Sequence, residues 1–301
     1  MATVFPSEPM KPTSFGDTLK IYLELTKLRI VLLLVFTTVT AMFIAAEGAP
    51  SFAVLVPTII GGALAAGGSS VINQYYDRDM DAKMTRTARR PIPSGRVSPT
   101  NALIFGVALI VWSVFILGVF VNWLAAGLAL GGSLYYVVIY TVLLKRNTVL
   151  NILIGGGAGA MPVLVGWAAV TGTLNVEAWL LFAIVFYWTP PHSWALALLV
   201  NTDYARANVP MMPVARGEAV TRQQILLYAI MLLLISLLPF AFGTLGAIYG
   251  MGAVLLGIGL IRASVNLIKE KTGAAARSTY KFSTAYLAFL FLIMIIDTVI
   301  L

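Results

Sequence analysis

Asn73-Gln74-Tyr75-Tyr76-Asp77-Arg78-Asp79-Met80-Asp81 closes an otherwise apolar run that begins near residue 53. Asn73, Asp77 and Asp81 stand at i, i+4 and i+8. At 3.6 residues per turn such positions drift only about 40° per step, so on a helix all three share one face. That face carries two carboxylates and a carboxamide, oxygen donors suited to Mg2+. Asp79 lies about 200° round from Asp77 and faces away. Arg86, Arg89 and Arg90 follow at once, ahead of Pro91-Ile92-Pro93-Ser94-Gly95. Acids able to hold a metal beside a run of guanidinium groups suit a polyanion, most simply a diphosphate. Acids at the end of a membrane helix can equally be solvated surface. The polar Asn73 one turn deeper, and the arginines that follow, tilt the reading toward a metal–diphosphate site.

Composition sets the frame. Of 301 residues, 59% are hydrophobic and 11% charged, with a mean hydropathy of +0.92. A soluble domain carries about 25% charged residues, so this composition is that of an all-α polytopic membrane protein. The absence of cysteine excludes disulfides, iron–sulfur clusters and thiol catalysis, and the single histidine, His192, excludes a multi-histidine metal site within the chain. The net charge of +8 reports membrane topology here and gives no reason to expect nucleic acid. The first 20 residues show no apolar signal-peptide core and are read as a cytoplasmic tail.

Nine apolar stretches approach the roughly 20 residues needed to cross a bilayer: 25–45, 53–75, 99–120, 122–144, 148–170, 177–200, 223–242, 245–265 and 279–299. All 20 Lys and Arg residues fall in or beside the N-terminal tail and the connections after the second, fourth, sixth and eighth stretches. The opposite connections, including Glu47-Gly48-Ala49-Pro50 and Thr171-Gly172-Thr173-Leu174-Asn175, have none. The positive-inside rule then puts the N-terminus in the cytoplasm and the C-terminus outside. Residues 21–301 read as one domain built of two parallel four-helix halves, about 25–146 and 148–270, with a ninth helix at 279–299. The repeat is weak: Asp77, basic residues and Pro91-Ile92-Pro93-Ser94-Gly95-Arg96 are echoed by Asp203-Tyr204-Ala205-Arg206 and Pro210-Met211-Met212-Pro213-Val214-Ala215-Arg216. Gly155-Gly156-Gly157 lies in an apolar stretch with no strand before it, so it reads as close helix packing and not as a dinucleotide loop.

Two further constellations carry chemistry. Lys145 and Arg146 are either ordinary inside-facing cations or reach the same diphosphate from a neighbouring helix. Trp188-Thr189-Pro190-Pro191-His192-Ser193-Trp194 puts two prolines and the histidine inside a membrane stretch. The prolines are expected to kink or break the helix there. His192 lies about 8 residues from the inner end, roughly 12 Å deep at 1.5 Å per residue. It is a general base, an axial contact to a haem iron, or a neutral histidine bonded to a freed carbonyl.

Asn73-x-x-x-Asp77-x-x-x-Asp81 with Arg89-Arg90-Pro91-Ile92-Pro93-Ser94-Gly95 resembles the UbiA superfamily of intramembrane prenyltransferases. Tyr140-Thr141, Lys145-Arg146, Trp188-x-Pro190-Pro191-His192 and Asp203-Tyr204 resemble the branch of it that farnesylates haem. The resemblance spans about residues 20–300. It implies a nine-helix bundle with a central cavity in a bacterial inner membrane, and farnesyl transfer from farnesyl diphosphate to a vinyl group of haem b. It further implies Mg2+ at Asn73, Asp77 and Asp81, with Lys145, Arg146, Arg86, Arg89 and Arg90 taking the diphosphate. The acceptor falls to His192, Asp203, Tyr204, Arg206 and Arg216, and a downstream haem-modifying enzyme is a candidate partner. One departure stands out: superfamily members acting on phenolic acids carry a second Asp-rich motif after the sixth helix, whereas this chain has Asp203 as the only acid there. A quinone-precursor or lipid acceptor, and a non-catalytic haem or lipid transporter, are the competing readings.

Overall fold

The computed structural model describes residues 14–300, all of whose regular structure is helical. α1 (Phe15–Thr26) starts at Ser14, whose hydroxyl accepts the Asp17 N–H at 3.1 Å. Its exposed Phe15, Leu19 and Leu23 share one face, and Asp17, Lys20 and Glu24 the other. That division suits a helix lying in the membrane interface. Lys27 then turns the chain with a left-handed backbone, φ 55° and ψ 54°, an uncommon conformation for a residue with a side chain.

The bundle follows: α2 (Leu28–Ala45), α3 (Phe52–Tyr76), a short α4 (Arg78–Asp81), α5 (Pro99–Phe120) and α6 (Trp123–Leu134). α6 runs on as a ten-residue π-helix, Tyr135–Leu144. α7 (Asn151–Thr171) and α8 (Val176–Leu199) come next, then the short α9 (Asn201–Arg206) and α10 (Met212–Arg216). α11 (Glu218–Ala241), α12 (Ala247–Glu270) and α13 (Gly273–Ile300) complete it. Residues 1–13 of the expected tail lie outside the described residues, and residues 15–20 of it belong to α1.

Among the described residues eight helices are long and apolar enough to cross a membrane, where the sequence suggested nine stretches. α8 is the helix left out, because Tyr187, Trp188, Pro190, Pro191 and His192 dilute its apolar character. It packs against α7, α11 and α13, which shield those polar groups from lipid. The expected break at its prolines does not occur: α8 is one unbroken helix. Proline's φ is already helical, so the helix continues at the cost of two amide donors to the carbonyls of Phe186 and Tyr187 and of the crowding of those carbonyls by the rings.

The main core joins α2, α7, α8 and α11–α13 through Leu164, Trp167, Ile184, Tyr249, Tyr286 and Phe291. α3 and α5 meet at Gly68 and Gly106, where a Cβ on Gly68 would lie 2.6 Å from the Gly106 carbonyl oxygen. Small residues let membrane helices approach this closely. Gly68→Ala should therefore push α3 and α5 apart and cost about 1–3 kcal/mol, the usual range for overpacking. Thermal unfolding in detergent measures this, with Gly127→Ala, whose Cβ would meet nothing within 4 Å, leaving the midpoint unchanged or raised.

Candidate active site

The site begins where α3 ends. The helix is interrupted at Asp77, φ −85° and ψ 4°, so the expected single helix is two segments. The hydrogen-bond ladder survives the interruption. The Asp77 N–H donates to the Asn73 carbonyl at 2.9 Å, and the Asp81 N–H to the Asp77 carbonyl at 2.7 Å. The i, i+4, i+8 relation is kept. Asn73, Asp77 and Asp81 are 2%, 0% and 1% exposed, which rules out the solvated-surface reading.

Every one of these buried groups meets a cation. Lys145 Nζ donates to Asp77 Oδ2. Arg90 Nη1 donates to Asp81 Oδ2 at 2.7 Å. Lys27 Nζ donates to Asn73 Oδ1 at 3.1 Å, and Asn73 Nδ2 donates to Asp77 Oδ2 at 2.8 Å and Thr141 Oγ1 at 3.1 Å. The π-helix delivers two of these partners. Its wider turn bonds the Lys145 N–H to the Tyr140 carbonyl at 2.8 Å and the Thr141 hydroxyl to the Tyr136 carbonyl at 2.9 Å. π-helical turns frequently occur at functional sites.

These groups enclose a polar pocket of about 140 Å³, walled by Lys27, Asn73, Asp81, Arg86, Arg90 and Lys145. Tyr136, Tyr140 and Tyr204, with Met80, Met84 and Thr87, complete its wall, while Asp77 stands behind, covered by Lys145 and Asn73. Burial first, then the Arg90 and Lys145 charges, push the Lys27 amine down to about 7. No group of three or more His, Cys, Asp or Glu side chains is placed to hold a metal among the described residues. Two carboxylates and a carboxamide fit Mg2+, which takes one or two carboxylates and leaves the rest of its shell to substrate phosphates and water.

The other expected diphosphate residues divide. Arg86 and Arg90 line the pocket, but Arg89 is exposed, with its carbonyl accepting from Arg96 at 2.6 Å. Arg146 grips Asp79 through two bonds of 2.9 and 2.7 Å and touches Asp77 Oδ1 at 3.5 Å. The Arg146 guanidinium holds the Asp79 carboxyl below its ordinary range.

Deeper in the bundle lies a second cavity of about 630 Å³, lined by apolar residues of α2, α3, α6, α7, α8 and α13. Gly155, Gly156 and Gly159 form part of its wall, and Tyr136 and Tyr140 line both cavities. His192 also faces it, stacked between Trp188, with centroids 4.3 Å apart, and Tyr280, at 4.7 Å. His192 Nδ1 lies 3.0 Å from Ser283 Oγ, whose own proton goes to the Tyr280 carbonyl at 2.8 Å. Ser283 therefore accepts, Nδ1 carries the ring proton, and Nε2 keeps its lone pair.

The UbiA prenyltransferase family matches residues 34–293. The chain belongs to the UbiA prenyltransferase family. A protoheme IX farnesyltransferase from Roseiflexus sp. (strain RS-1) is 51% identical over 94% of this chain and 53% of its own length. One of the same name from Symbiobacterium thermophilum is 50% identical over 94% of this chain and 95% of its own length. The chain thus spans about half the length of the first of these relatives and nearly all of the second. Among solved structures, one described in work on digeranylgeranylglyceryl phosphate synthase superimposes with a TM-score of 0.78 at 19% identity, covering 95% of this chain and 100% of that one. A UbiA homologue from Archaeoglobus fulgidus bound to DMAPP and Mg2+ gives 0.65 at 15% identity, covering 91% and 98%. At these identities the likeness is one of fold.

In this UbiA-family chain the second polar loop clamps the first. Asp203 accepts the N–H groups of Thr85 and Arg86, each at 3.3 Å, and Arg206 bridges Asp203 and the Thr85 hydroxyl at 3.3 and 2.9 Å. Tyr204 lines the polar pocket, and Arg216 is exposed at the end of α10. None of Asp203, Tyr204, Arg206 and Arg216, expected at the acceptor, lines the large cavity. Sequence reasoning missed Lys27, which reads as one more inside-facing cation. Its inward turn depends on a left-handed backbone that no glycine or asparagine announces. It also missed Tyr136, and took Tyr140 only as part of a motif and not as a wall of both cavities, because an apolar membrane stretch carries no mark of a π-helix.

Partial burial raises the Asp203 carboxyl, but the hydrogen bonds from the Arg86 and Thr85 backbones and the Thr85 side chain, with the Arg206 charge, outweigh it and lower the pKa. A lowered native pKa gives stabilisation that is complete above the unfolded value, about 3.9, and is lost as pH falls through the native one. Hydrogen exchange should show the Thr85 and Arg86 amides protected above about pH 4. Protection should fade at lower pH, and Asp203→Asn should weaken it at every pH.

Proposed function

We propose that this chain transfers the farnesyl group of farnesyl diphosphate to a vinyl group of haem b, giving haem O and diphosphate. One observation carries the reading: a pocket of buried acids and cations adjoins a large apolar cavity that holds the chain's only histidine, with Tyr136 and Tyr140 on both walls. The names of the two relatives above support the acceptor. The Archaeoglobus homologue, solved with a prenyl diphosphate and Mg2+, supports the donor and the metal.

Asp77 and Asp81, with Asn73, would hold Mg2+, which when bound would supply positive charge to the leaving diphosphate. Lys27, Lys145, Arg86 and Arg90 take the remaining phosphate oxygens, the guanidiniums pairwise. As the allylic C1–O bond breaks, negative charge gathers on the diphosphate, and cations already fixed around it need no reorganisation. The farnesyl chain then extends past Tyr136 and Tyr140 into the apolar cavity. There the terminal vinyl carbon bonds to C1. Positive charge passes to the neighbouring carbon beside the macrocycle, water adds to it, and the proton released goes to Nε2 of His192. Arg146 keeps the loop in place through Asp79, and Asp203 does so through the Thr85 and Arg86 amides.

The Lys and Arg residues cluster at one set of helix ends, which supports a reading with the polar pocket at the cytoplasmic face of the inner membrane, the N-terminus inside and the C-terminus outside. The clasp between the first and second polar loops suits two parallel four-helix halves, about 25–146 and 148–270, facing one shared site.

Purified protein given Mg2+, farnesyl diphosphate and haem b should yield a farnesylated, hydrated haem by mass spectrometry. Asp77→Ala and Asp81→Ala should each lower the rate roughly 10²-fold or more, the scale for losing fixed charge stabilisation. Absence of the product from wild-type protein overturns the assignment, and unchanged rates in both variants overturn the role given to the acids.

A further inference from the structure

We infer that Arg29 anchors a carboxylate of the acceptor at the polar end of the large cavity. The inference rests on the proposed function and names the group that orients the haem. Arg29 lies in the first turn of α2 and is the one Lys, Arg, Asp or Glu among the residues lining that cavity. It is exposed at the cavity's rim and has no hydrogen-bond or ion-pair partner among the described residues.

Five neighbouring cations are paired with acids, and Arg86 lines the polar pocket. Lys145 holds Asp77, Arg90 holds Asp81, Arg146 holds Asp79, Arg96 holds Glu24, and Arg206 holds Asp203. Lys27, two residues before Arg29, reaches Asn73 and lines the polar pocket. The left-handed turn at Lys27 thus divides two cations between two cavities, Lys27 to the acids and Arg29 to the apolar space. A guanidinium in a helix's first turn gains nothing from the helix dipole, which favours anions there, so no interaction within α2 accounts for it.

Haem b is a planar apolar macrocycle with two propionates on one edge. An amphiphile of that shape lies in an apolar slot with its acids toward the membrane surface, and Arg29 is the cation at that end. A guanidinium pairs with a carboxylate through two parallel hydrogen bonds, which fixes direction as well as position. His192, on α8 in the same cavity, is then free to meet the macrocycle while Arg29 holds its edge. Arg206 and Arg216 are not required for this role, and neither lines the cavity.

The test compares haem b with its dimethyl ester, whose propionates cannot pair with a guanidinium. Binding is followed by absorbance titration and by KM. Wild-type protein should bind the ester at least tenfold more weakly than haem b. Arg29→Gln should weaken haem b binding by a similar factor, leave the ester's affinity unchanged and leave the KM for farnesyl diphosphate unchanged. Arg29→Lys should restore part of the loss. Equal wild-type affinity for haem b and its ester overturns the inference without recourse to any variant. So does an Arg29→Gln protein that loses affinity for both forms alike, since the side chain then acts through packing. Wild-type protein that binds neither form and makes no farnesylated haem overturns the functional proposal and this inference with it.

Discussion

Two carboxylates almost wholly removed from water govern the polar end of this molecule. A buried charge left without a partner costs about 3–5 kcal/mol, so Asp77 and Asp81 require cations wherever the chain can bring them. Those cations come from separate segments: Lys145 from the end of the π-helix, Arg90 from the loop after α4, and Lys27, through Asn73, from the turn between α1 and α2. The same arrangement draws in the second loop, where Asp203 secures the backbone that carries Arg86. Neutralising the acids therefore assembles the pocket as well as stabilising it.

The cations that satisfy the acids are the ones a diphosphate needs. On the proposed function a divalent metal at Asp77 and Asp81 would compete with Lys145 and Arg90 for the carboxylates, and without a new anion the released cations would crowd one another and Lys27 in a pocket of about 140 Å³. The proposed diphosphate would supply that anion. Metal and diphosphate would then be coupled through the protein's own side chains, each making room for the other. Among the described residues the apolar cavity has no comparable charge pairing, and Arg29 is the one Lys or Arg that lines it. On the proposed function, the division between charged pocket and apolar cavity matches the division of the reaction between leaving group and acceptor.

Much of this was legible in the residues themselves. The spacing of Asn73, Asp77 and Asp81 located the acid face, and apolar stretch lengths located the long helices, because both depend on helical period and bilayer thickness, which are local quantities. The features that escaped depend on tertiary context. The i, i+4 ladder hid the interruption at Asp77. The helix-compatible φ of proline let α8 run through Pro190 and Pro191, where a break seemed due. Lys27 needed its unusual backbone turn to become part of the site, and Arg146 found Asp79 in place of the pocket. The expected acceptor cations in the second loop followed from position in the sequence, whereas the cavity wall is set by which helix faces which.

Calorimetric titration of Mg2+ into the purified protein, with and without a saturating non-reactive farnesyl thiodiphosphate, tests the coupling of acids, cations and diphosphate most directly. The account predicts weak Mg2+ binding to the protein alone and at least tenfold tighter binding with the analogue present, a gain reduced in Lys145→Met. Equally tight Mg2+ binding in both conditions would contradict it, because the acids would then be free to take metal without surrendering their cations.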